Sequence, residues 1–148
     1  IEKRVDFNLS GIPFVGYIDF LGEKDGELYI VDNKSRNLKP RSARSKPTKS
    51  DLELDDYLKQ LYLYSAAVEQ EYGRTPQSLC FNCFRTPILI EEPFSEQAYA
   101  ESKQWLFNKV QEITEETDFS PNIEYFKCTH LCEMRDFCEY YRLSQRKR

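Results

Sequence analysis

Three residues in the stretch YIDFLGEKDGELYIVDNKS, positions 17–35, carry groups that do chemistry where apolar side chains dominate. Asp19 and Asp32 each interrupt a run of Tyr, Ile, Phe and Val, and Lys34 stands two residues after Asp32. Lone charges in such runs are costly to bury. Side chains alternate along a strand, so Asp32 and Lys34 share one face with Ile30. If the strand of Asp19 pairs with that of Asp32 through the EKDG turn, the two carboxylates lie close together on that face. Neighbouring carboxylates repel, and one stays protonated unless a cation sits between them. Mg²⁺ or Mn²⁺ resolves the conflict: a hard ion takes oxygen ligands, keeps some waters and leaves places for phosphate oxygens. The ammonium of Lys34 would then orient and help deprotonate an attacking water. The plainer alternative is a rim salt bridge between Asp32 and Lys34, with Asp19 on a solvated face.

The elements that would hold these residues can be read on either side. Residues 2–9, 13–21 and 27–33 read as three strands of an antiparallel meander, with SGIP and EKDG as turns. Residues 35–50 hold prolines, serines and few apolar side chains, and read as a loop. Ser50 and Glu53 make an S-x-x-E capping box for a helix with the stripe Leu54, Leu58, Leu61, Ser65, Val68 and Tyr72. Gly73 and Pro76 end it. Strands follow at 78–85 and 88–91. Ser95 then caps a second long helix to about Glu116, with Phe94 and Tyr99 as a hydrophobic staple. Its buried face should be Tyr99, Ser102, Leu106, Lys109 or Val110, and Ile113. The order β-β-β-α-β-β-α describes a mixed α/β domain with helices packed on a central sheet.

At 148 residues the chain has the size of one domain with a proper core, 117–148 forming a cysteine-containing extension without clean periodicity. No segment approaches the roughly 18 apolar residues of a membrane span, and no signal peptide is visible, so no membrane partner is expected. The first residue, Ile1, falls within what reads as a strand, which suggests residues upstream. Five cysteines among many exposed Lys and Glu do not resemble a secreted disulfide framework, so a reducing, cytoplasmic setting is expected. The net charge of −4 hides a local reversal. Lys34, Arg36, Lys39, Arg41, Arg44, Lys46 and Lys49 form a run with no acidic residue, and the tail adds Arg142, Arg146, Lys147 and Arg148. Such a run can attract a polyanion because salt screens the distant acids. It can equally be a solvated loop whose charges serve solubility.

In this order the motifs resemble a known family. Gly16-Tyr17-Ile18-Asp19, a turn, an apolar strand ending Asp32-Asn33-Lys34, and a helix bearing Gln60 to Tyr64 (QLYLY) are similar to the PD-(D/E)xK nuclease superfamily, nearest its RecB-like and CRISPR-associated exonuclease branch. The resemblance runs from about Ile12 to Tyr64 and, more loosely, to Cys138. It implies a restriction-endonuclease-like core and a metal-dependent DNA nuclease, expected to be an exonuclease on single strands or duplex ends. Helicase or CRISPR-pathway proteins would be its partners. By this resemblance Asp19 and Asp32 would bind the metal together with the Asn33 carbonyl, Lys34 would be the catalytic lysine, and Gln60 and Tyr64 would match the Q-x-x-x-Y motif. Independently of it, Gln60 and Tyr64 share one helix face at i, i+4, where they would contact a scissile phosphate or its nucleotide, unless Gln60 is merely surface and Tyr64 flanks the core. Arg36, Lys39, Arg41, Arg44, Lys46 and Lys49 would contact the nucleic-acid backbone, their loop ordering on binding. Family members usually carry a helix with a further metal ligand before the first strand; residues 1–8 read as strand, so that helix is expected upstream of Ile1, or else the metal shell is incomplete. Hence a second expectation: a nucleic-acid-binding module of the same fold with weak or no catalysis.

Cys128, Cys132 and Cys138 have the spacing C-x3-C-x5-C. They resemble the three downstream ligands of a 4Fe–4S cluster in several relatives, with a fourth ligand required upstream. Zinc held by Cys128, His130, Cys132 and Cys138, or plain burial among Phe126, Leu131, Phe137 and Tyr140, are the alternatives. A metal-stapled interaction domain is the third functional class this leaves. Cys80 and Cys83 stand three apart in a strand, on opposite faces, and read as core.

Overall fold

The computed structural model describes residues 2–121 and 123–141; Arg142, Arg146, Lys147 and Arg148 of the basic tail lie outside them. The chain forms two compact units, Ile1–Val110 and Gln111–Arg148. In the first, β1 (Lys3–Leu9) and β2 (Ile12–Ile18) make an antiparallel hairpin. Next, β3 (Phe20–Lys24) and β4 (Glu27–Lys34) are joined through Asp25-Gly26, both left-handed at φ 54° and 82°. That turn matches the right-handed twist of hairpin strands, and glycine takes it without strain.

The single strand expected over 13–21 is therefore two strands. It breaks at Asp19, where the chain leaves β1 as partner and takes up β4, so the meander is divided between a two-stranded and a four-stranded sheet. At the break the side chain of Asp19, rather than its main chain, meets β4. The helix α1 (Lys49–Tyr72) then crosses over to β5 (Ser78–Cys83), which lies parallel to β4, and β6 (Ile88–Pro93) returns antiparallel. The sheet order β3-β4-β5-β6 is mixed, with the hairpins first, as in a restriction-endonuclease-like core.

The capping box of α1 lies two residues earlier than expected. Thr48, not Ser50, is the cap: its hydroxyl accepts from the Asp51 N–H, and the Asp51 carboxylate accepts from the Thr48 N–H at 2.6 Å. Asp51 also accepts from the N–H and hydroxyl of Ser42, each at 2.7 Å, so the earlier box satisfies the preceding loop as well as the helix end. Gly73 ends the helix left-handed, its N–H bonded to the Glu69 carbonyl. Leu54, Leu58, Leu61, Ser65 and Val68 face the sheet as the pattern requires, packing with Leu28, Ile30, Leu79 and Phe81 in the core. Each such aliphatic side chain contributes about 1.5–3 kcal/mol relative to exposure. Tyr72, expected as the last of the stripe, is exposed instead and takes the ammonium of Lys3 on its hydroxyl. The loop before α1 is pinned too, with Leu38 only 3% exposed.

The second long helix, α2 (Glu96–Glu115), starts at Ser95, whose hydroxyl accepts from the Ala98 N–H. The staple forms, with the Phe94 and Tyr99 rings 5.3 Å apart. Tyr99 donates to Glu69 at 2.6 Å and so ties α2 to α1. Tyr99 and Ser102 are buried, but the expected continuation is not: Leu106 and Val110 are half-buried, Lys109 and Ile113 exposed. Leu106 borders an open groove, and beyond Val110 the helix belongs to the second unit. That unit otherwise holds a π-helical turn at Lys127–Leu131 and a 3-10 turn at Glu133–Asp136. Among the described residues no helix is long and apolar enough to cross a membrane.

Candidate active site

Asp19, Asp32, Asn33 and Lys34 come together at the end of β4. Phe20 pairs with Val31, which sets Asp19 against the Asp32–Asn33 peptide; its Oδ2 accepts from the Asn33 N–H at 2.7 Å. Asp32 and Lys34 share the inner face with Ile30, as alternation requires, and the Lys34 ammonium lies 2.7 Å from Asp32 Oδ2. Neither is at the rim: the side chains are 11% and 17% exposed. Lys34 is capped by two rings, Tyr57 of α1 at 5.0 Å and Phe81 of β5 at 5.8 Å from the centroids. Cation–π attraction there supports a charged amine in a poorly solvated place.

Burial pushes the Asp32 carboxyl above the usual carboxylate range; the Lys34 ammonium opposes this, and the Asp19 charge adds to it. Asp32 Oδ2 is closed off from water, with the Lys34 ammonium against it. One ammonium answers two neighbouring carboxylates here, which leaves a net negative charge in a poorly solvated place. Two carboxylates and a main-chain carbonyl would be hard oxygen donors of the kind that Mg²⁺ or Mn²⁺ takes. Among the described residues no group of three Asp, Glu, His or Cys side chains gathers around such a point.

Gln60 and Tyr64 lie on α1, and Gln60 Nε2 donates to the Tyr64 hydroxyl at 2.9 Å. Tyr64 rests on β2: a Cβ added to Gly16 would stand 2.6 Å from its ring. Gly16 of β2 is therefore a seat for this ring, three residues before Asp19. Two further residues of α1 reach the site. Tyr57 donates neither to Lys34 nor to Asp32, but its ring covers the amine and its hydroxyl takes a bond from Arg36 at 2.5 Å. Glu53 pairs with Arg36 at 2.7 Å. The signal was present in the spacing, since Glu53, Tyr57, Gln60 and Tyr64 follow the 4-3-4 rhythm of one helix face.

The basic run is not a loop waiting to order. Leu38 is in the core, Ser42 is bonded to Asp51, and two of the six candidate cations are bound to the protein itself. Arg36 is held by Glu53 and Tyr57, and Arg41 by Asp55 and Glu92, each carboxylate at 2.7 Å. These two carboxylates raise the Arg41 pKa still further above its already high value. Lys39, Arg44, Lys46 and Lys49 are exposed, and none makes an ion pair or hydrogen bond among the described residues.

The cysteines divide as expected in the sheet: Cys80, beside Val31, and Cys83, beside Lys34, lie on opposite faces of β5 and are both buried. In the second unit Cys132 is exposed, and Cys128 and Cys138 are half-buried. These three thiols, with His130, do not gather as a cluster or zinc site requires.

A family model described as the PD-(D/E)XK nuclease superfamily matches residues 1–139. No curated protein matches the chain. Among solved structures, one described as the crystal structure of SSO0001 is 14% identical, with a TM-score of 0.41 over 94% of this chain. This chain spans 58% of the length of that one.

Proposed function

From the premise that the chain belongs to the PD-(D/E)XK nuclease superfamily, we propose a divalent-metal-dependent deoxyribonuclease of the RecB-like branch, an exonuclease working on single strands or duplex ends. The superfamily implies nuclease chemistry on a nucleic-acid substrate, and its members generally use divalent metals. DNA as the substrate, action at ends, Mg²⁺ or Mn²⁺ as the ion, and a helicase or CRISPR-pathway partner go beyond that. A cytoplasmic setting suits the free thiols of this chain.

The observation that carries the reading is the buried Asp32 carboxylate, held against the Lys34 amine and facing Asp19. Asp19, Asp32 and the Asn33 carbonyl would hold the ion, which supplies a Lewis acid and a more acidic bound water. Lys34, kept between Asp32 and two aromatic rings, holds an ammonium where negative charge grows during phosphodiester hydrolysis. Tyr64 and Gln60 present a phenol and an amide to the nucleotide at the cut. Lys39, Arg44, Lys46 and Lys49 supply the unspent positive charge for the backbone; Arg36 and Arg41 shape the loop instead.

One observation favours a second reading, a binding module without turnover: only two carboxylates gather here among the described residues. End-labelled single- and double-stranded DNA incubated with Mn²⁺ separates the two. A shortening ladder supports the exonuclease, internal cuts an endonuclease, and intact DNA that is nonetheless retained supports the binding module. The 4Fe–4S expectation has its own test, since a cluster would absorb at about 400 nm in anaerobically purified protein.

A further inference from the structure

The helix face that carries Gln60 and Tyr64 also borders an open groove of about 260 Å³. Its walls are rings. Phe14 of β2 stacks on Phe7 of β1 at 5.6 Å, and Trp105 of α2 stands with them, 39% exposed. Its polar lining residues are Asp56, Lys59, Gln60 and Tyr64. The Lys59 ammonium lies 5.4 Å from the Trp105 ring centroid. Lys59 also bonds Asp56 at 2.7 Å, but that pair is exposed, worth little, and gives way readily to a stronger anion.

Flat aromatic walls with a cation at the edge form a stacking platform for a base and its phosphate, a device that serves single strands of any sequence. Tyr64 lines the groove and rests on Gly16, three residues before Asp19. From Gly16 to Asp19 the strand advances about 10 Å at 3.3 Å per residue. Stacked nucleotides advance about 3.4 Å each, so a strand with a phosphate at Asp19 and Asp32 reaches the groove within a few nucleotides. A base inside a duplex has both faces covered by its neighbours and cannot enter.

We infer that the groove between Trp105 and Tyr64 is a stacking subsite for an unpaired nucleobase, so that single strands or overhanging ends are the substrate of this centre. The inference rests on the nuclease reading for its substrate class, but its test does not require turnover. Trp105 is the one tryptophan of the chain, so its emission reports on this groove alone. In EDTA, a short oligothymidylate should quench that emission saturably, while a blunt-ended duplex of two fully paired strands should leave it unchanged. Binding of a labelled oligothymidylate, read by anisotropy, should weaken about 5- to 150-fold in Trp105→Ala, the ratio a stacked base is worth, and recover in Trp105→Phe. Circular dichroism and melting temperature show whether each variant is folded; should Trp105→Ala fail to fold, Lys59→Ala with the quenching assay takes its place, expected to lose affinity but keep the emission. Equal quenching by the duplex, binding that leaves Trp105 emission unmoved, or emission that shifts only with protein concentration, as in self-association, would each overturn the inference. A protein that cleaves with Mn²⁺ yet shows no quenching loses the groove and keeps the nuclease reading. One that shows quenching yet never cleaves does the reverse.

Discussion

The Asp19 carboxylate accepts the backbone N–H of Asn33 at 2.7 Å, so the acid from the end of β2 is fixed by the peptide that follows the acid of β4. This bond makes the position of one carboxylate a property of the strand that carries the other. It also separates two roles that Asp19 plays: as a hydrogen-bond acceptor it joins β2 to β4, and as a charge it faces Asp32.

Asp19→Asn separates those roles experimentally. The amide oxygen can still accept from Asn33, so melting temperature without metal should stay within a few degrees of wild type. The negative charge is gone, and Mn²⁺ affinity measured by calorimetry should fall at least about tenfold, a loss of 1.4 kcal/mol or more. Undiminished Mn²⁺ binding would remove Asp19 from the donor set.

Lys34→Ala should lower cleavage by at least about 10²-fold, the usual cost of removing one preorganised positive partner of a developing charge. The same change leaves Asp32 buried opposite Asp19 with no ammonium beside it, so some stability is lost as well. Single-turnover cleavage at saturating DNA, with circular dichroism to confirm folding, reads the two effects apart. Wild-type rates in a folded variant would take Lys34 out of the chemistry.

Gly16→Ala tests the seat of Tyr64. A methyl group 2.6 Å from the ring forces Tyr64 aside, and overpacking of this kind costs about 1–3 kcal/mol. Urea unfolding should show that loss, with weaker DNA binding as Tyr64 leaves its place. Gly16 has no left-handed backbone to protect, so an unchanged variant would mean that the ring moves freely.

Asp51 predicts a pH dependence of stability. Four donors, from Ser42 and Thr48, hold its carboxyl well below the usual range. A carboxyl with a depressed folded pKa adds stability above its unfolded value, about 3.9, and loses it as pH falls towards the folded one. The unfolding midpoint of wild type should therefore exceed that of Asp51→Ala at neutral pH, and the gap should close as pH drops from about 5. A gap independent of pH would mean that Asp51 acts through packing alone.

Much of this was legible from periodicity. Alternation placed Asp32 and Lys34 on one face, and the 3-4 spacing placed Leu54, Leu58 and Leu61 in the core, because burial enforces both patterns. The break at Asp19 was not legible: one aspartate in an apolar run such as 17–21 does not end a strand by itself, and only pairing with two different strands divides it. The cap shifted from Ser50 to Thr48 for a similar reason. Both boxes have the right local residues, and the deciding partner, Ser42, comes from outside the helix. The basic run misled in the other direction. Its acids, Glu53, Asp55 and Glu92, lie on α1 and β6, where a count along the chain does not see them.

That last point gives two kinds of arginine and lysine in one loop, and salt separates them. Each phosphate contact lowers the slope of log K against log[salt] by about 0.7 on a single strand. Arg44→Ala with Lys46→Ala should reduce the slope by about 1.4 and weaken binding at low salt, with melting temperature unchanged, since neither side chain has a partner to lose. Arg41→Ala should leave the slope nearly unchanged, because its charge already answers Asp55 and Glu92. Its cost falls on stability instead: two carboxylates are left facing one another without the guanidinium, and Glu92, the less exposed, loses most. Fluorescence anisotropy with labelled DNA at about 50 and 200 mM salt, beside thermal melts of both variants, measures the contrast. If Arg41 instead carries the salt dependence, the internal pairs open on binding, and the loop presents all of its cations to the strand.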